Sequence, residues 1–458
     1  MAAETEDLLI ANADLVVTMD DHRREIPGGW VAITNGFVSD VGGPGDEPDA
    51  RTVVAANGCV VTPGLINTHH HIYQNLTRSF APALSGNLFH WLRTLYPVWG
   101  NLDEEAVYVS AWIGLCELAL GGCTTTTDHL YVHPRNSGDL ISAEVQAAIE
   151  LGFRFHPTRG SMSLSQKDGG LPPDSVVQRD DEILADSERL VGLHHDPQPG
   201  AMIRIALAPC SPFSVTPSLM RETAALAEQL DVRLHTHLAE DADEDSFCLE
   251  KFGCRPIQHF ENVGWASNRT WVAHCVFPND DEIQRLSRWG TSVAHCPSSN
   301  QLIGAGLAPV RELRDAGVPV GIGCDGSAST DCASLWLETR GALLLGRLRG
   351  GPDAMSAREA LEMATLGGAI CLGRDDIGSL SPGKVGDLVV WPLSGVAFAG
   401  ALTDPVEALL RCGPVVAKHT IVHGQLLVED GVLTHPGVEE MLGRHRGIAQ
   451  RWLDGFIS

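Results

Sequence analysis

Basic residues are scarce in this 458-residue chain: 32 Lys and Arg stand against 58 Asp and Glu, a formal net charge of −26. A surface of that sign repels phosphate backbones and anionic lipid, which argues against nucleic acid or membrane as the main partner. Uncharged heterocycles are not excluded. Long apolar runs are missing too; the longest are interrupted by Glu117 and by glycine pairs, well short of a bilayer span. Residues Met1 to Asp7 are acidic and lack the basic-then-apolar order of a secretory leader. The 12 cysteines contain no Cys-x-x-Cys and no regular spacing, so no disulfide framework is expected. Cys210, Cys275 and Cys324 fall inside apolar segments, where a reduced thiol packs as a small hydrophobe. A soluble, cytoplasmic protein is the simplest expectation. With 44% hydrophobic and 20% charged residues the chain has enough apolar surface to fold, without repeats or low-complexity tracts.

What is present is organised in three stretches. From Asp7 to Val61, short β-rich runs (Leu8-Leu9-Ile10, Leu15-Val16-Val17, Trp30 to Ile33) alternate with turns, and Asn35-Gly36 is a strong hairpin signal. The same texture returns in Leu388 to Trp391, Thr420-Ile421-Val422 and Leu426 to Val428, with His423-Gly424 between the last two. Between these ends, helices alternate with strands. Asp103 and Thr216-Pro217 are helix starts, and another helix opens near Asn279. Strands are expected at Ile203 to Ala208, Val232 to His237, Trp271 to His274, Ser292 to His295 and Val318 to Asp325. Alternation of this kind implies parallel βαβ units. The expected architecture is a (β/α)8 TIM-like barrel over residues 63–373. Residues 1–62 and 374–458 would form a small β-sandwich domain, built from both chain termini and carrying a C-terminal helix.

Several chemistry-bearing residues fall at the C-terminal ends of these strands, the rim where such barrels build active sites. In Thr68-His69-His70-His71, residues two apart on a strand share a face, so His69 and His71 can converge on one ion while His70 points away. Alone such a pair is weak evidence, since ordinary core or surface histidines are commoner. His237 offers a third imidazole, with Glu240 three residues on; His235 shares its face but lies deeper, as a core or supporting residue. Asp325, before Gly326, is by itself an ordinary turn or cap residue. On a rim with three histidines it becomes a fourth ligand and a proton acceptor. His274 fits as a histidine that polarises the attacking water.

Taken in order along the chain, these signals and the closing segment Pro382-Gly383-Lys384-Val385-Gly386-Asp387-Leu388 resemble the amidohydrolase superfamily, in its deaminase and triazine-hydrolase branch. The resemblance spans nearly the whole chain. It implies that His69, His71, His237 and Asp325 bind one divalent metal ion, zinc or alternatively iron, that Glu240 shuttles protons, and that His274 activates water. Binuclear relatives bridge two metals with a lysine on the fourth strand; no lysine lies between Lys167 and Lys251, so a mononuclear site is expected. The other zinc-deaminase design, H-x-E with P-C-x-x-C, is absent.

The segments Tyr73 to Arg78, Leu88 to Trp99 and His156 to Met162 resemble the oxopurine deaminases of that branch, which implies hydrolysis of 8-oxoguanine to urate and ammonia. Guanine, isoguanine or a hydroxyatrazine- or chlorotriazine-type ring would use the same ligands. Ring opening of a cyclic amide and a non-catalytic binding protein on this fold are further alternatives, the latter disfavoured because every ligand position is filled. Gln74, with a donor and an acceptor, suits an amide-like ring edge. Arg159 is a candidate donor to a carbonyl, or else a structural ion-pair partner. Trp99, with Trp91, either stacks on the ring or fills the loop core; Ser298 and Asn300 either bind the ring or cap a loop. A homo-oligomer is compatible with the resemblance.

Overall fold

The computed structural model describes residues 5–457, and the leader reading over residues 1–4 lies outside them. Eight parallel strands close a barrel in chain order: Leu65–Asn67, Cys123–Leu130, Arg154–Ser161, Ala206–Pro209, Leu234–Leu238, Thr270–His274, Ser292–His295 and Val320–Ile322. Ile322 pairs with Asn67 to complete the ring. The helix starts follow local chemistry. Asp103 accepts from Ala106 N, Thr216 from Leu219 N ahead of Pro217, and Asn279 forms a reciprocal capping box with Glu282.

Three strands differ from expectation, two of them at the rim. The last barrel strand stops at Ile322 instead of reaching Asp325, because the Asn67 side chain takes the Cys324 amide and Thr68 takes the Ile322 carbonyl. Asp325–Gly326 then pairs with His70–His71 as a separate two-stranded bridge above the barrel. The first strand is likewise broken between Asn67 and His70. The fourth strand begins at Ala206, and Ile203 only bridges to Phe155.

Both chain ends build the β portion. A four-stranded sheet holds Glu6–Ala11, Trp30–Thr34, Phe37–Gly42 and Ala50–Ala55; the turn at Asn35 and Gly36 has φ of 52° and 80°, the left-handed pair a tight hairpin needs. A seven-stranded sheet joins the two ends through Cys59–Pro63 against Leu388–Pro392. Ile10, Val31 and Ile33 of one sheet pack with Val16, Val61 and Val390 of the other. The C-terminal helix Val438–Ile457 lies on the barrel helix Glu104–Leu120, and His445 Nε2 meets Asn75 Oδ1 at 2.8 Å. Among the described residues no helix is long and apolar enough to cross a membrane.

A buried ion pair ties the closing segment to the barrel. Arg154, on the third strand, donates to Asp387 at 2.9 and 3.1 Å and to the carbonyls of Gly200 and Ala201, both at 2.7 Å. Asp387→Ala strands that guanidinium without its counter-ion. Such losses cost about 3–5 kcal/mol, so a clear fall in the urea midpoint is expected; an unchanged midpoint would show the pair to be dispensable.

Candidate metal centre and catalytic pocket

Hydrogen bonding assigns the protons of the rim histidines. His237 Nδ1 donates to Cys210 O at 2.7 Å and His71 Nδ1 to His129 O at 2.7 Å. His235 Nδ1 donates to Trp271 O at 2.9 Å, so its Nε2 must accept, and it does so from His69 Nδ1 at 2.8 Å. Each of His69, His71 and His237 is thereby left with a bare lone pair on Nε2. These atoms converge: His71 Nε2 and His237 Nε2 are 3.1 Å apart, and Asp325 Oδ1 stands 3.2 Å from His69 Nε2 and 3.3 Å from His71 Nε2. All four residues are buried. Burial, then the neighbouring rings, holds the pKa of His69 and His237 well below the usual imidazole value, so protonation does not relieve the contact. Asp325 lies well below the usual carboxylate range although burial opposes it.

Four electron-pair donors with no proton among them are stable together only around a cation. Imidazole and carboxylate at this spacing fit a divalent ion such as zinc. The fourth barrel strand, Ala206–Pro209, carries no lysine that would bridge a second one.

The remaining groups are set around this cradle. His274 Nδ1 faces Asn300 Oδ1 at 3.0 Å, which turns Nε2 towards Glu240 Oε1 at 3.6 Å and Asp325 Oδ2 at 3.9 Å. Burial, reinforced by Asp325 and Asp241, raises the Glu240 carboxyl well above its ordinary value. Glu244 accepts from the amides of Ala239 and Glu240 at 2.9 and 2.8 Å and so fixes the Glu240 loop. His274 and Asp325 have φ of 70° and 59°, a left-handed conformation that is unusual for such side chains and concentrates where function over-determines the backbone.

A narrow pocket opens onto His71, His237, Glu240 and Asp325. Trp91 and Tyr96, on helix Leu88–Trp99, wall it together with Phe213 and Ile303. Gln74 enters it with both side-chain polar atoms buried and unpartnered. Gly326 makes room for that amide: a Cβ there would stand 1.8 Å from Gln74 Oε1.

Four expected substrate contacts need correction. Arg159 does not reach the pocket; its guanidinium is spent on Asp186 at 2.6 Å, Gln178 at 2.8 Å and Gly160 O at 2.5 Å. Trp99 stands behind Trp91, its indole bonded to Thr77 Oγ1 at 3.1 Å. Ser298 donates its amide to Glu338, while the next residue, Ser299, faces the pocket with a buried, unpartnered hydroxyl. Asn300 orients His274 instead of lining the wall. Sequence reasoning passed over His129, buried among these rings at the end of strand Cys123–Leu130. The β-branched run Thr124 to Thr127 before it is the strand signal that would have placed it on the rim.

The barrel, its β-rich ends and this histidine–aspartate cradle define a metal-dependent hydrolase scaffold. Residues 60–427 match the model of the amidohydrolase family, and the chain belongs to that family. It is 46% identical over 429 residues to an 8-oxoguanine deaminase of Pseudomonas aeruginosa, covering 93% of this chain and 95% of that protein. It is 38% identical over 408 residues to a hydroxydechloroatrazine ethylaminohydrolase of Pseudomonas sp. strain ADP, covering 87% and 83%. Among solved structures, the atrazine chlorohydrolase TrzN of Arthrobacter aurescens TC1, complexed with zinc, superposes with a TM-score of 0.93. The two share 34% identity, over 96% of this chain and all (100%) of that one.

Two substitutions separate the parts of the site. His237→Ala should weaken zinc binding by more than the roughly 10–100-fold that loss of an outer-shell partner costs, read by competition with a chelator. Glu244→Ala should leave zinc content intact and lower kcat by about 10²-fold through misplacement of Glu240. Loss of zinc in the second variant, or its retention at full affinity in the first, would contradict these assignments.

Proposed function

We propose that this chain is a hydrolytic deaminase of a purine-like heterocycle, with 8-oxoguanine as substrate and urate and ammonia as products. The observation that carries the reading is the convergence of three imidazole lone pairs and Asp325 beneath a pocket whose wall holds Glu240, its carboxyl raised well above the ordinary value by burial. His69, His71, His237 and Asp325 would hold a single divalent ion, zinc or ferrous iron. Such an ion supplies Lewis acidity that brings the ionisation of water into the neutral range.

The chain's own groups account for the rest. Asp325 Oδ2, 3.9 Å from His274 Nε2 and hydrogen-bonded to Ser329 Oγ at 3.0 Å, receives the proton of the attacking water. His274, oriented by Asn300, aligns that water and stabilises the developing oxyanion. Glu240, neutral at rest, protonates the ring nitrogen next to the amino-bearing carbon, which makes that carbon electrophilic. The tetrahedral adduct then collapses: Asp325 passes its proton to the amino group, which leaves as ammonia, and the adduct's hydroxyl proton returns to Glu240. Water and 8-oxoguanine in, urate and ammonia out, balances without an oxidant.

Gln74 supports an oxopurine because its free donor and acceptor match a lactam edge. Trp91 and Tyr96 offer flat faces to a planar ring. The 46% identical deaminase supports the same substrate. A triazine is the second reading, favoured by the triazine-processing relative and structural neighbour; the same groups would then expel an alkylamine or chloride. A reducing, cytoplasmic setting is supported by 12 cysteines that are all free.

The test is ammonia release by the zinc-loaded protein from a panel of aminated purines, pyrimidines and triazines. Turnover of 8-oxoguanine well above guanine is expected; turnover of triazines alone would keep the chemistry and overturn the substrate. In the same assay Glu240→Gln should retain zinc and lose about 10²–10⁴-fold in kcat. Near-normal turnover by that variant would remove Glu240 from the mechanism.

A further inference from the structure

We propose that His445, on the C-terminal helix Val438–Ile457, is a positioning residue for the substrate: acting through Asn75, it sets the turn from which Gln74 meets the lactam edge of the ring. The proposal deepens the substrate reading above and rests on it. Gln74 and Asn75 are neighbours in one short turn, Ile72–Thr77, which follows the ligand His71 and is buried throughout. Gln74 faces the pocket with its amide free of hydrogen-bond partners. Asn75 is not part of the pocket wall, and its amide is engaged at both ends. Nδ2 donates to Ser110 O at 2.8 Å; a carbonyl can only accept, so the amide has one orientation, with Oδ1 turned to the helix. His445 Nε2 therefore carries a proton and donates it to Oδ1 at 2.8 Å.

Three contacts hold the turn. Asp128 Oδ1 takes the Ile72 amide at 2.6 Å at its start, and Thr77 Oγ1 donates to Gln74 O at 3.0 Å at its end. His445 holds the middle, from the far end of the chain. The helix that carries it is well seated. Met441, Ile448 and Trp452 are buried, the Arg444 guanidinium lies 5.6 Å over the Tyr108 ring, and Phe456 meets Phe80 with ring centroids 5.0 Å apart. Burial, with Arg78 and Arg446 nearby, lowers His445 to about 4, so at neutral pH it offers a hydrogen bond and no charge. Removing the imidazole leaves Asn75 Oδ1 buried without a donor, and the residue that must then relax shares a peptide bond with Gln74. Packing alone needs no such pair, since apolar contacts already seat the helix.

Steady-state kinetics of the zinc-loaded protein with 8-oxoguanine test this. His445→Leu is expected to raise KM about 3–10-fold, the worth of one net hydrogen bond, with kcat and zinc content unchanged. His445→Gln, whose amide N–H stands close to the place of Nε2, is expected to restore KM. In a Gln74→Ala background His445→Leu is expected to add nothing, because the group it positions is gone. An unchanged KM in His445→Leu, or the same rise in both backgrounds, overturns the proposal. So does a loss of zinc or of kcat at unchanged KM, which would tie the helix to the metal centre instead. Should His445→Leu fail to fold, His445→Asn, with an amide too short to reach Asn75, takes its place. A Gln74→Ala variant with wild-type KM would bring down the assignment of Gln74 to the ring, and a wild type silent on 8-oxoguanine would bring down the substrate reading; the proposal falls with either.

Discussion

The structure turns on where three protons are. Each Nδ1 proton of His69, His71 and His237 is tied down, to His235 or to a backbone carbonyl of the barrel. That commitment strips every inward-facing Nε2 of its hydrogen and sets the lone pairs against one another and against a carboxylate. In the folded chain the arrangement is electrostatically unfavourable by itself and favourable around a cation. The barrel is therefore the device that fixes tautomers, and the relay from Trp271 O through His235 to His69 shows how far into the strands that control extends.

The acid and base functions proposed for Glu240 and Asp325 are separated by environment within a few ångströms. Glu240 faces apolar walls and two other carboxyls, and its carboxyl is raised well above the ordinary value, whereas Asp325 is shifted the other way. Two carboxyl groups shifted in opposite directions suit a proton-in, proton-out hydrolysis. The short bridge of Asp325–Gly326 with His70–His71 makes this possible, because it lifts Asp325 out of the barrel sheet and over the ring nitrogens. The left-handed backbone at His274 and Asp325 is the local cost of that placement.

Much of this was legible in the sequence because strand periodicity and strand-end position are local properties. The spacing of His69 and His71, the strand ends at His237 and His274, and the Asn35-Gly36 hairpin can all be read from a few residues. The partners of Arg159 were not legible in that way: Gln178 and Asp186 come from a loop and a helix whose approach only the folded chain defines. Ser298 and Ser299 differ by one step around the short helix Pro297–Leu302, and nothing in the sequence sets which step faces the pocket. His129 was overlooked because it follows a threonine run that carries no chemistry of its own, and its surroundings come from the ring of His69 and the two rings of strand Leu234–Leu238.

The central claim is that the converging lone pairs exist to hold one divalent ion that the reaction requires. Equilibrium dialysis of the chelator-stripped wild-type protein against zinc, with ammonia release from 8-oxoguanine followed on the same samples, tests it most directly. The account expects one zinc per chain, no turnover by the stripped protein, and turnover that rises in proportion to zinc bound. Full turnover without metal, or no stoichiometric uptake by the folded protein, would contradict it.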